Sequence, residues 1–245
     1  MFHQLVQGRN IKKWNVTYGD NVLLYVPWHF PLHVDPSISG SSALAEKAFK
    51  ERHPIVYNHL RKYIHELSSR NSEETGIRYE WYALQRAAAS YVNEFNKRKI
   101  VWALTSDNWG FAIDEEHSFL PSNGYLLTSE ETSLEFIVAL LNSRLFEYYF
   151  GFIGIMTAGG AFTLKQETVS ALPIRHPPTK LQTQLEHLVE QRMALPAGAE
   201  AEAIEQAIDQ VVYGLYGLTA AEVALVEASV KKGGKKKGVD GADED

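Results

Sequence analysis

Short apolar runs bounded by turn residues alternate along the chain with longer stretches of helical spacing, and each pattern predicts its own kind of element. Val22-Leu23-Leu24-Tyr25-Val26 reads as a short buried strand, and Lys99-Ile100-Val101-Trp102-Ala103-Leu104 as a second. Phe111-Ala112-Ile113 and Tyr125-Leu126-Leu127 are shorter candidates, separated by turn residues such as Pro121-Ser122-Asn123-Gly124. Pro27, Pro31 and Pro36 hold an irregular connection, because proline supplies no ladder donor. Residues 43–69 are expected to be helical with a break near His53-Pro54, where Pro54 suits the first turn of a second helix. Asn71 to Gly76 is a polar turn, and Tyr79 to Tyr91, with a run of three alanines, favours a further helix.

Thr128 and Glu131 stand at capping-box spacing and are expected to open a helix running to about Tyr149. Leu134, Phe136, Ile137, Leu140, Leu141, Leu145 and Phe146 surround it on most sides, so it should be a buried central helix. A glycine-rich segment follows over residues 151–162, then Ala171-Leu172-Pro173-Ile174 and a boundary at Pro177-Pro178-Thr179. Thr179, with Gln182 three residues on, should cap a helix to about Leu195, and helices near 199–215 and 220–230 follow, the last opened by Thr219-Ala220-Ala221-Glu222. The lysine–glycine block and acidic end over 231–245 cannot bury apolar surface and are expected to be disordered. The pattern is α+β: a mixed β-sheet with a buried central helix over residues 1–175, then a small C-terminal helical region over 176–230.

Composition narrows the classes. The length of 245 residues allows a full core. No apolar run approaches the roughly 18 residues of a membrane span, and Met1-Phe2-His3-Gln4 lacks the basic-then-apolar order of a signal peptide. With no cysteine, disulfides and thiolate metal sites are excluded; a soluble cytoplasmic protein without a membrane partner is expected. The net charge of −6 is unevenly spread: residues 1–100 carry 14 Lys/Arg and 9 Asp/Glu, the remainder 10 and 21. A DNA surface would therefore draw on the first part and a few local loops.

Catalytic signatures are missing. There is no dinucleotide or phosphate-binding glycine loop and no nucleophile elbow. His65-Glu66 does not continue into a zinc motif. His29 and His33 are four apart, but Pro31 between them argues against a shared helix face. The sole Pro-Pro, in His176-Pro177-Pro178-Thr179, does not match the Asn/Asp-Pro-Pro-Tyr/Phe signature of adenine N6-methyltransferases, and no Pro-Asp dipeptide opens a nuclease site. Glu115-Glu116-His117 reads as a solvated turn and Glu130-Glu131 as a helix start. No metal site and no catalytic residue are assigned.

Several motifs nevertheless occur in a telling order. They are Gly8-Arg9-Asn10-Ile11-Lys12-Lys13-Trp14, Trp81-Tyr82-Ala83-Leu84-Gln85, Lys97-Arg98-Lys99-Ile100-Val101, Leu140-Leu141-Asn142-Ser143-Arg144-Leu145, Gly159-Gly160 to Lys165, and Leu172-Pro173-Ile174. In this order they resemble the TaqI-like C-terminal specificity domain, which follows the methyltransferase domain of type IIG restriction–modification enzymes and related adenine methyltransferases of phage defence. Lys97-Arg98 departs from the family's usual proline, and Arg175 stands where a closing proline is common. Ile208-Asp209-Gln210-Val211-Val212-Tyr213-Gly214-Leu215-Tyr216-Gly217-Leu218-Thr219 is similar to the ending of such enzymes.

The resemblance implies a DNA target-recognition module whose partners are double-stranded DNA and a methyltransferase, with or without a nuclease. The methyl donor S-adenosylmethionine would belong to that catalytic partner. Candidate contacts lie on connections. Arg9, Lys12 and Lys13 would hold phosphates. Ser106, Asp107, Asn108 and Trp109 form a polar loop in which Asn108 would read adenine. Thr157, Gly159, Gly160 and Lys165 form a loop whose glycines let backbone approach DNA while Lys165 neutralises phosphate. Each has a structural alternative: a solvated surface, an ordinary turn, and a tight turn packed on the central helix. The alternative function is a protein-interaction subunit, marked by an exposed apolar helix face near 181–226 and no basic surface around the glycine loop. An enzyme in its own right would need converging carboxylates or a cofactor pocket.

Overall fold

The computed structural model describes residues 1–32, 40–70, 79–85, 90–157 and 159–233. The strands are β1 (Phe2–Gln4), β2 (Ile11–Lys12), β3 (Asn15–Val16), β4 (Val22–Leu24), β5 (Lys99–Ala103), β6 (Thr105–Ser106), β7 (Ala112–Asp114), β8 (Gly124–Leu127), β9 (Ile155–Met156) and β10 (Phe162–Thr163). The chain forms two compact units, one of Met1–Gln4 with Asn21–Asn96 and one of Leu5–Asp20 with the chain from Lys97 onward. This division differs from a boundary at 175. Leu185, Val189, Ile208, Val212 and Leu215, all beyond that point, share one core with Ile100, Trp102, Leu140 and Leu141.

In the first unit β1 pairs antiparallel with β4. Residues 22–26, expected to be buried, form an edge: Val22 is exposed, and Val26 is the buried member. The expected break at Pro54 separates helix α1 (Ala43–Arg52) from helix α2 (Pro54–Arg61), and helix α3 (Ile64–Ser69) follows. Residues 79–85 form turns rather than the expected helix. Tertiary bonding outweighs helix propensity there. The buried Glu80 carboxylate accepts from the backbone N–H groups of His29 and Ser42, both at 2.8 Å, and lies 2.9 Å from His29 Nδ1. Next to it Phe49 stacks on Tyr82 with ring centroids 4.4 Å apart. His33, Pro36, the turn at 71–76, the alanine run at 87–89 and the tail from 234 lie outside the described residues.

The second unit is built on β5, flanked antiparallel by β7 and β8. Every residue of β5 is buried, so its two faces serve two cores. Ile100 and Trp102 enter the main core, whereas Val101 packs with Val6, with Ile11 and Val16 of the β2–β3 hairpin and with Ala112 of β7. The fold is α+β, as expected, but its strand pairs are antiparallel among the described residues; the parallel element is a single bridge between Leu5 and Phe119.

The central helix divides. Leu134–Asn142 and Arg144–Ile153 are separate helices bent by 65° at Ser143. Ser133, not Thr128, caps the first, accepting from Phe136 N–H. Ser143 donates to the Leu140 carbonyl at 2.7 Å and accepts from Phe146 N–H, so it closes one helix and opens the next. The first half is buried nearly throughout, but the second exposes Tyr149 and Phe152. Of the later helices, Thr179–Met193 starts after Pro178 with no side-chain cap, whereas the expected box at Thr219 and Glu222 forms in both directions. Helix Ala199–Tyr216 ends at Gly217, whose φ of 70° suits glycine, and Leu218 N–H returns to the Tyr213 carbonyl. No single helix among the described residues is long and apolar enough to cross a membrane.

Lys99 and Asp114 stand directly opposite each other across β5 and β7, both fully buried, with Nζ to Oδ2 at 2.6 Å. Burial alone would push the Asp114 carboxyl up. Lys99, Ser118 N–H and the Tyr18 hydroxyl outweigh it and hold the carboxyl below its usual range. Lys99→Met removes the compensating charge and is expected to cost about 3–5 kcal/mol at neutral pH, read as a lowered urea midpoint. The deficit should narrow as the pH falls and the unpaired carboxyl takes up a proton.

Candidate nucleic-acid interface

Three two-residue strands organise the loops singled out by sequence. In the sheet β6–β10–β9, Phe162 pairs with Ser106 and Met156, and Thr163 with Thr105 and Ile155. This register puts the loop after Ser106 and the tip between Met156 and Phe162 at the same end of the sheet. Asn108, Thr157, Gly159 and Gly160 are exposed there. Thr157 closes the tip: its N–H donates to the Ala161 carbonyl, its carbonyl accepts from Gly160 N–H, and its hydroxyl accepts from Ala161 N–H. Gly160 has a φ of 84° and open space around it, so the position needs glycine for its backbone, not for lack of room. Ser106 Oγ donates to the Asn108 carbonyl at 2.8 Å, leaving the Asn108 side chain outward. Lys165 is exposed beyond the other end of β10, where its N–H donates to the Thr163 carbonyl and it precedes the helix Gln166–Ser170.

Trp109 is not part of this surface, which corrects its place among the expected contacts. Only 4% of it is exposed, its indole N–H donates to the Leu141 carbonyl, and its ring packs on Phe111, Phe150 and Phe162. It fixes the roots of both loops instead. Behind it Asn142 acts like an added strand residue: Oδ1 accepts from Phe111 N–H and Nδ2 donates to the Phe111 carbonyl, both at 2.9 Å. This partner lies 31 residues away along the chain. The Trp102 indole N–H likewise holds the Leu164 carbonyl.

The N-terminal hairpin is brought to the same loop. Trp14 N–H donates to the Phe111 carbonyl, and a Cβ on Gly110 would lie 2.7 Å from the Lys13 backbone nitrogen. Glycine at 110 is therefore required by close backbone approach. Arg9 and Lys12 are exposed and, among the described residues, without an ion-pair partner. Lys13 is engaged: its ammonium lies 2.9 Å from Glu205 and 5.7 Å from the Trp14 ring centroid. Glu147 and Asp209 also feel its charge, so a phosphate approaching Lys13 would meet three carboxyl groups. Its charge is therefore already engaged, unlike that of Arg9 and Lys12.

Burial shapes that acidic cluster. Desolvation pushes the Asp209 carboxyl up to about 6, against the opposing pull of Arg144 N–H, Lys13 and the Arg144 guanidinium. Glu147 is raised by the same cause. Burial acts likewise on Glu205, but Lys13 and Arg192 outweigh it and lower that group. Arg144 also meets Glu227, which accepts from the Tyr213 hydroxyl. Tyr216 donates to the Pro173 carbonyl. Both tyrosines are packing groups.

Sequence gave no sign of the exposed apolar stem. Phe152, Ile155 and Met156 are 70%, 55% and 44% exposed at the base of the tip. Among the described residues no group of three or more His, Cys, Asp or Glu could hold a metal ion.

Residues 3–174 match the TaqI-like C-terminal specificity domain. Among solved structures, the chain is similar to the type IIL restriction-modification enzyme MmeI in complex with DNA, with a TM-score of 0.57 and 15% identity. The similarity covers 95% of this chain and 31% of that one, so this chain spans about a third of the length of MmeI. At that identity the likeness is one of fold. Among curated proteins none matches.

Two substitutions test the geometry. Asn142→Ala strands the Phe111 N–H in the core, while the Phe111 carbonyl keeps the Trp14 N–H, and is expected to cost about 1–3 kcal/mol, read by urea unfolding, with faster amide exchange at residues 105–111. Asp209→Asn tests the raised carboxyl. A group whose folded value is raised stabilises most at low pH, and that contribution is lost as the pH rises through about 6. Wild type should therefore lose about 3 kcal/mol relative to Asp209→Asn between about pH 3 and pH 7. Parallel stability curves for the two proteins would refute the assignment.

Proposed function

Because this chain belongs to the TaqI-like C-terminal specificity domain family, we propose that it recognises a sequence in double-stranded DNA for a restriction–modification enzyme. The observation that carries this reading is the register of β6, β10 and β9, which gathers two exposed polar loops at one end of a rigid sheet. Sequence readout requires donors and acceptors held against base edges, with separate cations fixing the register on phosphates. Asn108 is the base-reading side chain. The tip at Thr157, Gly159 and Gly160 brings backbone groups to the groove. Arg9, Lys12 and Lys165 take phosphates.

The parent enzyme in this reading is an adenine N6-methyltransferase of type IIG or a related kind. Its catalytic domain flips the target adenine from the stack, and S-adenosylmethionine supplies the methyl group there. This chain's part is to bind and orient the duplex. The apolar face that would mark an assembly subunit is lacking: over residues 181–226 the one large exposed apolar side chain is Leu225. A second reading, docking of a neighbouring protein domain on the stem, is favoured by Phe152, Ile155 and Met156.

Selection of bound sequences from a pool of random duplexes at two salt concentrations tests the proposal. A discrete motif is expected, with weaker binding at high salt. Asn108→Ala should relax one position of that motif by about 1–3 kcal/mol of discrimination while leaving the thermal midpoint unchanged. No enrichment at low salt would remove the DNA reading and leave the stem as a protein contact.

A further inference from the structure

In the second unit Lys13, Lys97, Arg98, Lys99, Arg144 and Arg192 each lie within 3.4 Å of a carboxylate, whereas Arg9, Lys12, Lys165 and Lys180 are exposed with no ion-pair partner among the described residues. In the first unit Lys47, Lys50, Arg52, Arg61 and Lys62, on or beside α1 and α2, are all exposed, and none has an ion-pair partner among the described residues. Among the described residues the nearby carboxylates are few or occupied. Glu46 accepts from the Tyr57 hydroxyl at 2.9 Å and the Trp81 indole at 2.8 Å. Glu80 is buried on His29 and Ser42. Glu51 and Glu66 are the exposed acids of these helices. Five exposed cations outnumber the exposed acids Glu51 and Glu66 in this short span, and the net positive surface attracts a polyanion.

We propose that the outer faces of α1 and α2 form a second, sequence-independent contact with duplex DNA through its phosphates. The inference rests on the DNA-binding reading and extends it to residues outside the loop sheet. The burial pattern favours DNA over a lipid surface. Insertion into a bilayer needs a continuous apolar helix face. Ala45, Phe49 and Tyr57 are already buried in the unit's own core, and Leu44 and Ile55 stand exposed singly. The exposed faces are instead cationic, as phosphate contact requires. Lys47 and Lys50 are three residues apart and so neighbours on one helix surface.

The test is binding of the full chain to a short fluorescent duplex of random sequence, followed by anisotropy from about 50 to about 200 mM salt. Wild type is compared with the variant Lys47→Gln, Lys50→Gln, Arg61→Gln, Lys62→Gln. The slope of log affinity against log salt should become shallower by roughly 3.6 if all four contact phosphate, because each lost contact removes about 0.9. Affinity at low salt should fall at least ~10-fold, with the thermal midpoint unchanged. Glu51→Gln with Glu66→Gln removes like charge to phosphate and should tighten binding, which keeps the test decisive if the fourfold variant does not fold. Equal slopes for wild type and the fourfold variant overturn this assignment alone, leaving the loop sheet intact. Loss of binding to anionic lipid vesicles with unchanged duplex binding also overturns it. A wild-type chain that binds no duplex at low salt overturns the recognition reading and this contact together.

Discussion

The second unit depends on how the chain turns at Asn142 and Ser143. A buried helix that ends inside a core must satisfy its last carbonyls and the next helix's first N–H groups without water. Ser143 serves both ends with one hydroxyl, and Asn142 spends its amide on the backbone of Phe111. The 65° bend lets the second helix leave the core and deliver the chain to β9. A straight continuation would carry Phe152 and Ile153 elsewhere, and the three-stranded sheet would lose its edge. The polar residues that interrupt an apolar helix are thus the reason the loops meet.

Much of this was legible in the sequence, for identifiable reasons. β5, β7 and β8 carry compact apolar runs flanked by turn residues, and the break at Pro54 follows from the ring's missing N–H. The box at Thr219 and Glu222 is local chemistry and forms as read. Misreadings occurred where a distant partner decided the outcome. Glu80 turns its segment away from helix because its carboxylate satisfies three groups far along the chain. Trp109 looked like a loop residue because its neighbours are polar; its indole partner is 32 residues away. Lys13 looked like a free cation because Glu205 lies far off in sequence. Periodicity reports which face is apolar, but not which element will cover it.

A net charge of −6 sits awkwardly with a DNA ligand until the charges are sorted by engagement. Several of the acids of the second unit, among them Asp114, Glu135, Glu205 and Asp209, are tied to arginine or lysine. Fixed dipoles and a few uncompensated cations set the local field, and the sum over the chain says little about it. The matched family region ends at residue 174, yet the helices after it complete the same core that supports the loops.

The hairpin tip has a consequence for how such a module diversifies. Trp109, Phe150 and Phe162 fix the root of the hairpin, while Thr157 seals the tip with bonds internal to it. Root and tip are therefore mechanically separate. Residues can be added to the tip in pairs, which preserves the alternation of strand faces, without disturbing the aromatic anchor. A lineage under pressure to change its target could lengthen or exchange the tip while inheriting the anchor unchanged, so that loop length, more than core sequence, becomes the heritable record of what each copy reads.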